Sequence, residues 1–130
     1  MKKILITRKL INSSEEYAKK IFNVELNKED KLLTGDELIV KSDDCDGILT
    51  SITDKIDSNI ISKLSHKVKI ISNFAVGFGN IDIEAAKKRN IIVTNTPDVL
   101  TEATAEIAML VLLGAARRAK EGIEYAKKKN

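Results

Sequence analysis

Short, uninterrupted apolar runs alternate with amphipathic stretches along most of this chain. Ile4, Leu5 and Ile6 follow one another without a polar break, which is typical of a central parallel strand that is buried on both faces. Comparable runs recur along the sequence and predict five strands, over residues 2–7, 24–27, 47–50, 68–75 and 91–95. Apolar residues at helical spacing between these runs predict a helix in each interval.

Polar residues with capping chemistry mark where the predicted helices begin. Two pairs have the spacing of a capping box: Ser13 with Glu16, and Thr34 with Glu37. Asp54 is expected to cap a helix over residues 55–65, and Asp82 a helix over residues 83–89. Asn90 follows that last helix, and asparagine favours the left-handed conformation in which many helices end.

Strands that alternate with helices in this way predict an α/β fold. The expected architecture is a flavodoxin-like, doubly wound sheet of five parallel strands in the order 2-1-3-4-5. Ligands of such sheets bind beyond the carboxyl ends of the strands. We therefore expect a functional site in the loops over residues 74–80 and 95–104.

The segment over residues 101–130 does not fit a closed domain of this kind. A single helix of that length, capped by Thr101, would be about 45 Å long, which exceeds the width of so small a domain. Residues 107–116 are apolar on every side, and the part that follows is basic. The pattern predicts a long helix that meets another domain or another subunit. The alternative is a frayed, solvated tail after Arg118.

Composition and charge describe an ordinary globular domain. The chain has 130 residues, 43% of them hydrophobic and 32% charged, which is enough for one domain with a core. Its formal net charge of +3 comes largely from basic residues in the final helix. Aromatic residues are not interleaved with these bases, so a solvated surface is favoured over a nucleic-acid interface.

Cysteine use and hydropathy bear on the compartment. Cys45 is the only cysteine, so it has no partner for an internal disulfide, and we interpret it as a loop thiol of a cytoplasmic protein. The amino terminus lacks the apolar core of a secretory leader. Residues 107–116 form the longest apolar run, far short of the roughly 20 residues that cross a bilayer, so no membrane segment is predicted.

Several classes of protein that share this fold are excluded, because the residues that they need are missing. Thr7 and Arg8 stand where a phospho-receiver needs an acidic pair, and the glycine-free turn that follows does not suit a flavin phosphate. Gly77 and Gly79 begin a dinucleotide fingerprint, but its third glycine is replaced by Asp82. The only histidine lies in the turn before the fourth strand, away from the expected site, and no metal-ligand constellation is present.

The loop after the fourth predicted strand has the chemistry of an anion site. Consecutive backbone N–H groups beside glycines can face an anionic group such as a carboxylate, and those of Val76 and Gly77 are the best candidates. An equally weighted alternative is that Gly77 and Gly79 only permit a tight turn. Thr50 and Ser51, at the end of the third predicted strand, are expected either to offer a hydroxyl to the same crevice or to cap their own turn.

A long stretch of the sequence resembles one enzyme family. The string NFAVGFGNIDIEAAKKRNIIVTNTPDVLTEATAEIAMLVLLGAARR closely resembles the corresponding segment of the D-isomer-specific 2-hydroxyacid dehydrogenases. The phrases VTNTPDVLTEATAEIA and LTSITDKID resemble its glyoxylate and hydroxypyruvate reductase branch most. The resemblance is loose before Asp46 and tight over residues 69–118.

The resemblance implies that two parts of the chain have different roles. Residues 1–100 would be the substrate-binding domain, and residues 101–130 a crossover helix that also serves dimerisation. By position, the amides of Val76 and Gly77 resemble those that hold the substrate carboxylate, beside the turn that contains Thr50 and Ser51. Thr104 matches a position that touches the cofactor, NAD or NADP.

The resemblance also implies what is missing. The Rossmann cofactor domain, and with it the family's catalytic arginine, glutamate and histidine, is expected to be absent from these residues. Gly79 replaces an acid or asparagine of many members, and His66 is not the family's histidine. The chain alone is therefore expected to be inactive and to bind no cofactor tightly.

Two hypotheses from different classes follow. The first is the substrate-binding domain of an NAD(P)-dependent oxidoreductase that acts on small 2-oxo acids such as glyoxylate or hydroxypyruvate. The second is a non-catalytic, self-associating module that has lost its cofactor domain. The apolar helix motivates the second hypothesis, because an isolated helix of this kind favours burial in a dimer.

Overall fold

The computed structural model describes residues 1–128, which form five strands and six helices. The strands are β1 (Lys3–Ile6), β2 (Asn23–Leu26), β3 (Gly47–Ser51), β4 (Ile70–Phe74) and β5 (Ile92–Thr94). The helices are α1 (Asn12–Ile21), α2 (Gly35–Lys41), α3 (Ser58–Lys63), α4 (Ile83–Lys88), α5 (Thr101–Ala116) and α6 (Ala119–Lys128). The chain divides into two compact units between Pro97 and Asp98.

The first unit is a single parallel sheet in the order β2-β1-β3-β4-β5. All four pairings are parallel, with Ile4 opposite Gly47 and Gly47 opposite Ile70. The predicted α/β class, strand number and strand order are therefore confirmed. Because the strands are parallel, their carboxyl ends and the loops that follow lie along one edge of the sheet.

The two faces of the sheet differ in how they are covered. One face packs against α2, α3 and α4 and forms the core, in which Ile71 of β4 and Ile61 of α3 are wholly buried. Complete burial of such a side chain contributes about 2 kcal/mol. The other face carries α1 and leaves an open groove of about 510 Å³, lined by Tyr17 and Ile70 among others.

Two of the predicted caps form as expected. The Thr34 hydroxyl accepts a hydrogen bond from the Glu37 N–H, and the Glu37 carboxylate accepts one from the Thr34 N–H, so the capping box of α2 is complete. Asp82 caps α4 through the Ala85 N–H. Asn90 follows α4 with a φ of 54°, the left-handed conformation that its position predicted.

The predicted capping box at Ser13 and Glu16 does not form. Helix α1 begins at Asn12, one residue before the expected cap, and the residue that precedes it makes no side-chain cap. Glu16 pairs with Lys19 along the helix instead. The Glu15 carboxylate accepts the N–H of Leu10, which lies before the helix and is not one of its unpaired N–H groups.

The helix expected over residues 55–65 begins later, and Asp54 does not cap it. Ile56 pairs with Ile81 in an isolated parallel bridge, which keeps this part of the chain extended. Helix α3 therefore starts only at Ser58, and its cap is Asp57, whose carboxylate accepts the Ile60 N–H.

The second unit contains helices α5 and α6, so the prediction of one uninterrupted helix is wrong. Arg118 adopts a φ of 52°, and a residue in this left-handed conformation ends the α-helical hydrogen-bond ladder. Thr101 is the first helical residue rather than the cap. The apolar side chains of α5, such as Leu110 at 65% exposure, face solvent. The last two residues of the predicted helix lie outside the described residues.

None of the helices formed by residues 1–128 combines the length and the hydropathy that a bilayer crossing requires.

Candidate functional site

The candidate site lies in the loop that follows β4, at the carboxyl edge of the sheet. Three consecutive carbonyl groups of this loop accept hydrogen bonds from the protein. The Thr96 N–H donates to the Ala75 oxygen at 2.9 Å. The Asn95 carboxamide donates to the Val76 oxygen at 2.8 Å, and the Asn73 carboxamide to the Gly77 oxygen at 2.8 Å. The carbonyl side of the loop is thus tied to the sheet.

The same bonds fix where the N–H groups of the loop point. No peptide bond of the described chain is cis, and in a trans peptide the N–H points opposite to the carbonyl of the same peptide unit. The N–H groups of Val76, Gly77 and Phe78 therefore point away from the groups that bind the three carbonyls. None of the three donates a hydrogen bond within residues 1–128. We call these three N–H groups the amide site.

The glycines of the loop are not demanded by its backbone conformation. Neither Gly77 nor Gly79 has a positive φ. A Cβ on Gly77 would meet only the Ile52 side chain, at 3.9 Å, and one on Gly79 would meet nothing within 4 Å. The interpretation that these glycines only permit a tight turn therefore loses its main physical reason. Their small size leaves space beside the amide site.

The turn after β3 is organised around a buried carboxylate. Asp54 is 1% exposed. One of its oxygens accepts hydrogen bonds from three donors, which are the Thr7 hydroxyl at 2.7 Å, the Thr50 hydroxyl at 2.8 Å and the Ser51 N–H at 2.9 Å. The other oxygen has no partner among residues 1–128. This carboxylate holds the ends of β1 and β3 together.

Thr50 and Ser51, the two hydroxyl residues expected near the site, are placed differently. Thr50 is buried, and its hydroxyl donates to Asp54, which matches the turn-capping alternative rather than a hydroxyl offered to the crevice. Ser51 is partly exposed, and its hydroxyl shares a hydrogen bond with that of Thr53 at 2.9 Å. Only Ser51 keeps its hydroxyl near solvent.

Asn80 joins the turn after β3 to the loop after β4. Its carboxamide N–H groups donate to the Ser51 and Asp54 carbonyls, both at 3.0 Å. Its carboxamide oxygen accepts from Asn73 at 3.1 Å, and Asn73 in turn holds the Gly77 carbonyl. The two loops therefore share one network of side-chain amides.

A charged pair lies at the end of β1, next to the same turn. The Arg8 guanidinium donates to Asp30 at 2.8 Å and to the Thr53 hydroxyl at 2.7 Å. Hydrogen bonds from Arg8, and also from the Lys9 N–H, lower the pKa of Asp30 to about 2. This ion pair fixes the rim of the turn after β3.

Apolar side chains border the amide site. Ile52 is 55% exposed and Phe78 is 52% exposed, although both are large and hydrophobic. Ile52 lies beside Gly77, because its side chain is what a Cβ at that position would contact. The arrangement combines free backbone donors with apolar neighbours, and this suits an anion that carries a small apolar or neutral part.

Comparison with known proteins decides the family. The model of the D-isomer specific 2-hydroxyacid dehydrogenase catalytic domain matches residues 4–127. The chain belongs to this dehydrogenase family. The resemblance seen in the sequence is thereby confirmed.

Individual relatives support the assignment to the dehydrogenase family. A glyoxylate reductase of Thermococcus litoralis is 41% identical over 125 residues, which cover 96% of this chain and 38% of the relative. A glycerate dehydrogenase of Hyphomicrobium methylovorum is also 41% identical, over 121 residues that cover 93% of this chain and 38% of the relative. The chain spans less than two fifths of the length of these two relatives.

Solved structures of dehydrogenase relatives show the same fold. The TT0316 protein of Thermus thermophilus matches with a TM-score of 0.83 and 34% identity, over 97% of this chain and 40% of that one. A 3-phosphoglycerate dehydrogenase of Entamoeba histolytica, solved with NAD+ bound, matches with a TM-score of 0.71 and 28% identity, over 87% of this chain and 38% of that one.

Two further residues were considered from the sequence: His66, which is not expected to be the family's histidine, and Thr104, which is expected to touch the cofactor. His66 precedes β4 and so lies at the amino end of the sheet, where its ring contacts Arg89 at 3.3 Å. Thr104 lies in the first turns of α5, exposed, and its N–H donates to the Leu100 carbonyl. Its expected contact with a cofactor stays a prediction.

A cluster of three possible metal ligands lies at the amino edge of the sheet. Ligand atoms of Glu25, Asp44 and Cys45 lie within 4.8 Å of one another. The Lys3 ammonium pairs with both carboxylates, at 2.9 and 2.7 Å, and so already supplies a positive charge there. Burial raises the pKa of the Cys45 thiol to about 11. The cluster therefore acts as an ion pair beside a neutral thiol.

Sequence reasoning singled out the Val76 and Gly77 amides, whose role stays a prediction, but missed the side chains that orient them. Asn73 is the most telling omission, since it is a carboxamide inside a largely apolar strand and is 1% exposed. A buried polar residue in a strand is expected to have a hydrogen-bonding task. Asn95 had no comparable feature, because it stands in a polar loop.

Proposed function

We propose that this chain provides the substrate-binding part of an oxidoreductase that interconverts small 2-oxo acids and D-2-hydroxy acids. The preferred substrates are glyoxylate or hydroxypyruvate. In this proposal residues 1–100 bind the substrate, and residues 101–130 lead to a separate Rossmann domain. The single cysteine, which has no partner for an internal disulfide, supports placing the protein in the reducing cytoplasm.

One observation carries the proposal. Three successive carbonyl groups are held by the protein, and this leaves the amide site, formed by the N–H groups of Val76, Gly77 and Phe78, without internal acceptors among residues 1–128. A carboxylate can accept several such bonds, and bonds to a charged acceptor are roughly twice as strong as neutral ones. The carboxylate is the group that all 2-oxo and 2-hydroxy acids share. In this proposal Val76 and Gly77 hold it, and Ser51 lies beside it.

The names of the relatives support the substrate class. A glyoxylate reductase and a glycerate dehydrogenase both handle two- or three-carbon acids and are 41% identical to this chain. The apolar neighbours Ile52 and Phe78 offer no second charged partner, which suits a small acid with one carboxylate. The Thr50 hydroxyl contributes indirectly, by holding Asp54 and with it the turn after β3.

The described residues do not form a cradle for the dinucleotide that we propose as cofactor, NAD or NADP. Gly77-Phe78-Gly79 is followed by α4, but Asp82 stands where the fingerprint has its third glycine. Its carboxylate caps the helix at the Ala85 N–H, so a negative charge occupies the place where a diphosphate would lie. Another domain would hold the cofactor, whose nicotinamide ring would provide the hydride chemistry, and Thr104 would touch it.

The amide site also has no histidine that could serve as its acid–base group. His66 is the only histidine and lies at the opposite end of β4. We therefore expect no turnover when this chain is mixed with glyoxylate and NADH or NADPH. The oxidation of the reduced nicotinamide, followed by its absorbance, tests this directly. Turnover above that of the buffer would overturn the claim that catalysis needs residues outside this chain.

The binding claim has its own experiment. The ¹⁵N-labelled chain is titrated with oxamate, an unreactive analogue of a 2-oxo acid, and its amide resonances are followed by NMR. We expect the largest shifts at Val76, Gly77 and Phe78. Glycolamide, which has no carboxylate, is the matched control ligand and should leave these resonances in place. Oxamate shifts that avoid residues 76–78 would reject the proposed function.

Self-association is the second candidate function. It is favoured by α5, in which Ile107, Leu110 and Leu112 are each at least 59% exposed. A homodimer formed through residues 101–130 would bury this surface, either within an enzyme or as a module without catalysis. Light scattering separates the possibilities. A monomer at all concentrations would leave the self-association hypothesis without support, whereas a stable dimer that binds no oxamate would favour the non-catalytic module.

A further inference from the structure

Asn95 is placed unlike the other side chains that hold the loop after β4. Asn73 is buried in β4 and bonds both Asn80 and the Gly77 carbonyl. Asn95 is half-buried just beyond β5, and its side chain donates to the Val76 carbonyl at 2.8 Å. The neighbouring Thr96 N–H holds the Ala75 carbonyl. Two of the three anchored carbonyls therefore depend on residues 95–96.

We propose that Asn95 is a positioning residue of the amide site, which orients the Gly77 N–H by binding the other end of the same peptide unit. This inference rests on the proposed function as far as ligand affinity is concerned. The peptide between Val76 and Gly77 is trans and planar, so fixing its carbonyl fixes its N–H. Donors that are fixed in advance bind an anion more tightly, because they lose less freedom when the anion arrives.

The chemistry of the side chain makes the inference specific. Holding a carbonyl requires a donor, and the carboxamide of Asn95 is one. An aspartate of the same size is only an acceptor when ionised and would face the Val76 oxygen with like partial charge. Asn95→Asp should therefore be worse than Asn95→Ala. A merely steric role would give the reverse order, because the aspartate keeps the shape.

The experiment compares Asn95→Ala and Asn95→Asp with Asn23→Ala. Asn23 is an exposed asparagine of β2 whose side chain makes no hydrogen bond within the described chain, so it controls for the loss of a carboxamide. Two quantities are measured for each variant. The first is the ¹⁵N order parameter of the Gly77 amide without ligand, and the second is the oxamate dissociation constant from the NMR titration.

We expect the order parameter of Gly77 to fall in both Asn95 variants and to stay unchanged in Asn23→Ala. The oxamate dissociation constant should rise about fivefold in Asn95→Ala, as for the loss of one hydrogen bond, and more in Asn95→Asp. Urea unfolding shows whether each variant is folded. A partly exposed bond of this kind should shift the midpoint only slightly.

The outcomes separate this inference from the proposed function. If the wild-type chain does not bind oxamate, the proposed function fails, and the order parameter alone decides the role of Asn95. If the wild type binds and the Asn95 variants match Asn23→Ala in both quantities, the positioning role is rejected and the proposed function stands. If both Asn95 variants lose stability and affinity together while Gly77 keeps its order parameter, Asn95 is structural only, and the positioning role is again rejected.

Discussion

The turn after β3 and the loop after β4 are neighbours at the same edge of the sheet, yet a buried carboxylate organises the first and carboxamides organise the second. At the turn after β3, the Asp54 carboxylate takes up the Ser51 N–H and two hydroxyls. At the loop after β4, Asn73 and Asn95 take up carbonyls and leave the N–H groups free. A carboxylate accepts hydrogen bonds and so occupies donors. The N–H groups of a carboxamide bind carbonyls instead and can leave the backbone N–H groups without a partner. In the proposed function, the loop after β4 can receive an anion because its anchors bind carbonyl groups and not N–H groups.

The largest expected effect comes from removing the carboxylate. Asp54→Ala leaves the Thr7 and Thr50 hydroxyls and the Ser51 N–H without their buried acceptor, so we expect a loss of about 3 kcal/mol in the free energy of unfolding. Urea denaturation measures it. Asp43→Ala, at an exposed aspartate of the same chain, is the control and should change little. A loss below about 1 kcal/mol would mean that the turn does not depend on its carboxylate.

Asn80 connects the two loops through its side chain, and its replacement should change the structure of both. Asn80→Ala removes the donors to the Ser51 and Asp54 carbonyls, and we expect a loss of about 2 kcal/mol. Amide resonances of Ser51 and of Gly77 should both move in the NMR spectrum. Asn80→Asp keeps the size but lacks the donors, so it should lose a similar amount. Changes confined to one loop would show that the loops are independent.

Alanine substitutions test whether the glycines beside the amide site are needed for folding. Neither Gly77 nor Gly79 has a positive φ, and a Cβ fits at both positions. Gly77→Ala and Gly79→Ala should therefore raise the free energy of unfolding, each by about 0.5 kcal/mol, by restricting the unfolded chain. Thermal unfolding of both variants checks this. A clear loss of stability would restore the tight-turn interpretation.

The smallest expected effect is a pH dependence of the free energy of unfolding, which comes from the Asp30–Arg8 pair beside the turn after β3. The pKa of Asp30 is lowered to about 2 by its bond to Arg8. Because the folded state lowers this pKa, the stabilisation is present above the ordinary value of 3.8 and is lost as the pH falls toward 2. Asn90 shows that asparagine accepts a φ like the 53° of Asp30, so Asp30→Asn is a suitable variant.

Urea midpoints of the wild type and of Asp30→Asn, taken from about pH 5 to about pH 2, make the comparison. The wild type should lose stability more steeply than the variant within this range. Resonances of Thr53, which also contacts Arg8, should titrate with Asp30, and those of Gly77 should not. Parallel curves for the two proteins would show that the Asp30 carboxylate does not stabilise the turn after β3.

Periodicity and local chemistry were enough to predict the sheet. Buried strands produce uninterrupted apolar runs, and the Thr34 and Asp82 caps satisfy N–H groups within three residues, so both leave a local trace in the sequence. The order of the strands followed from the general rules of doubly wound sheets. The family followed from the length of the matching string.

Contacts between distant residues were not predictable in the same way. Asp54 has the sequence context of a helix cap, and only its distance of 2.7 Å to Thr7, 47 residues away, shows its actual partner. The break at Arg118 depends on one left-handed residue of a type that rarely adopts that conformation. The amides of Val76 and Gly77 were singled out from the sequence, but the side chains that hold their loop were not. Asn95 acts from 19 residues away, and Asn73, although only four residues from Gly77, leaves no periodic pattern.

The hydrogen bonds of residues 95–96 connect the loop after β4 to the segment in which the chain leaves the first unit. These two residues hold the Ala75 and Val76 carbonyls, and the chain leaves the first unit directly after them, at Pro97. Linkage is reciprocal: if a bound anion favours one geometry of this segment, then that geometry favours the anion by the same free energy. Under the proposed function, a change in the path of the chain at Pro97 that altered this geometry would therefore also change the affinity of the loop for its anion.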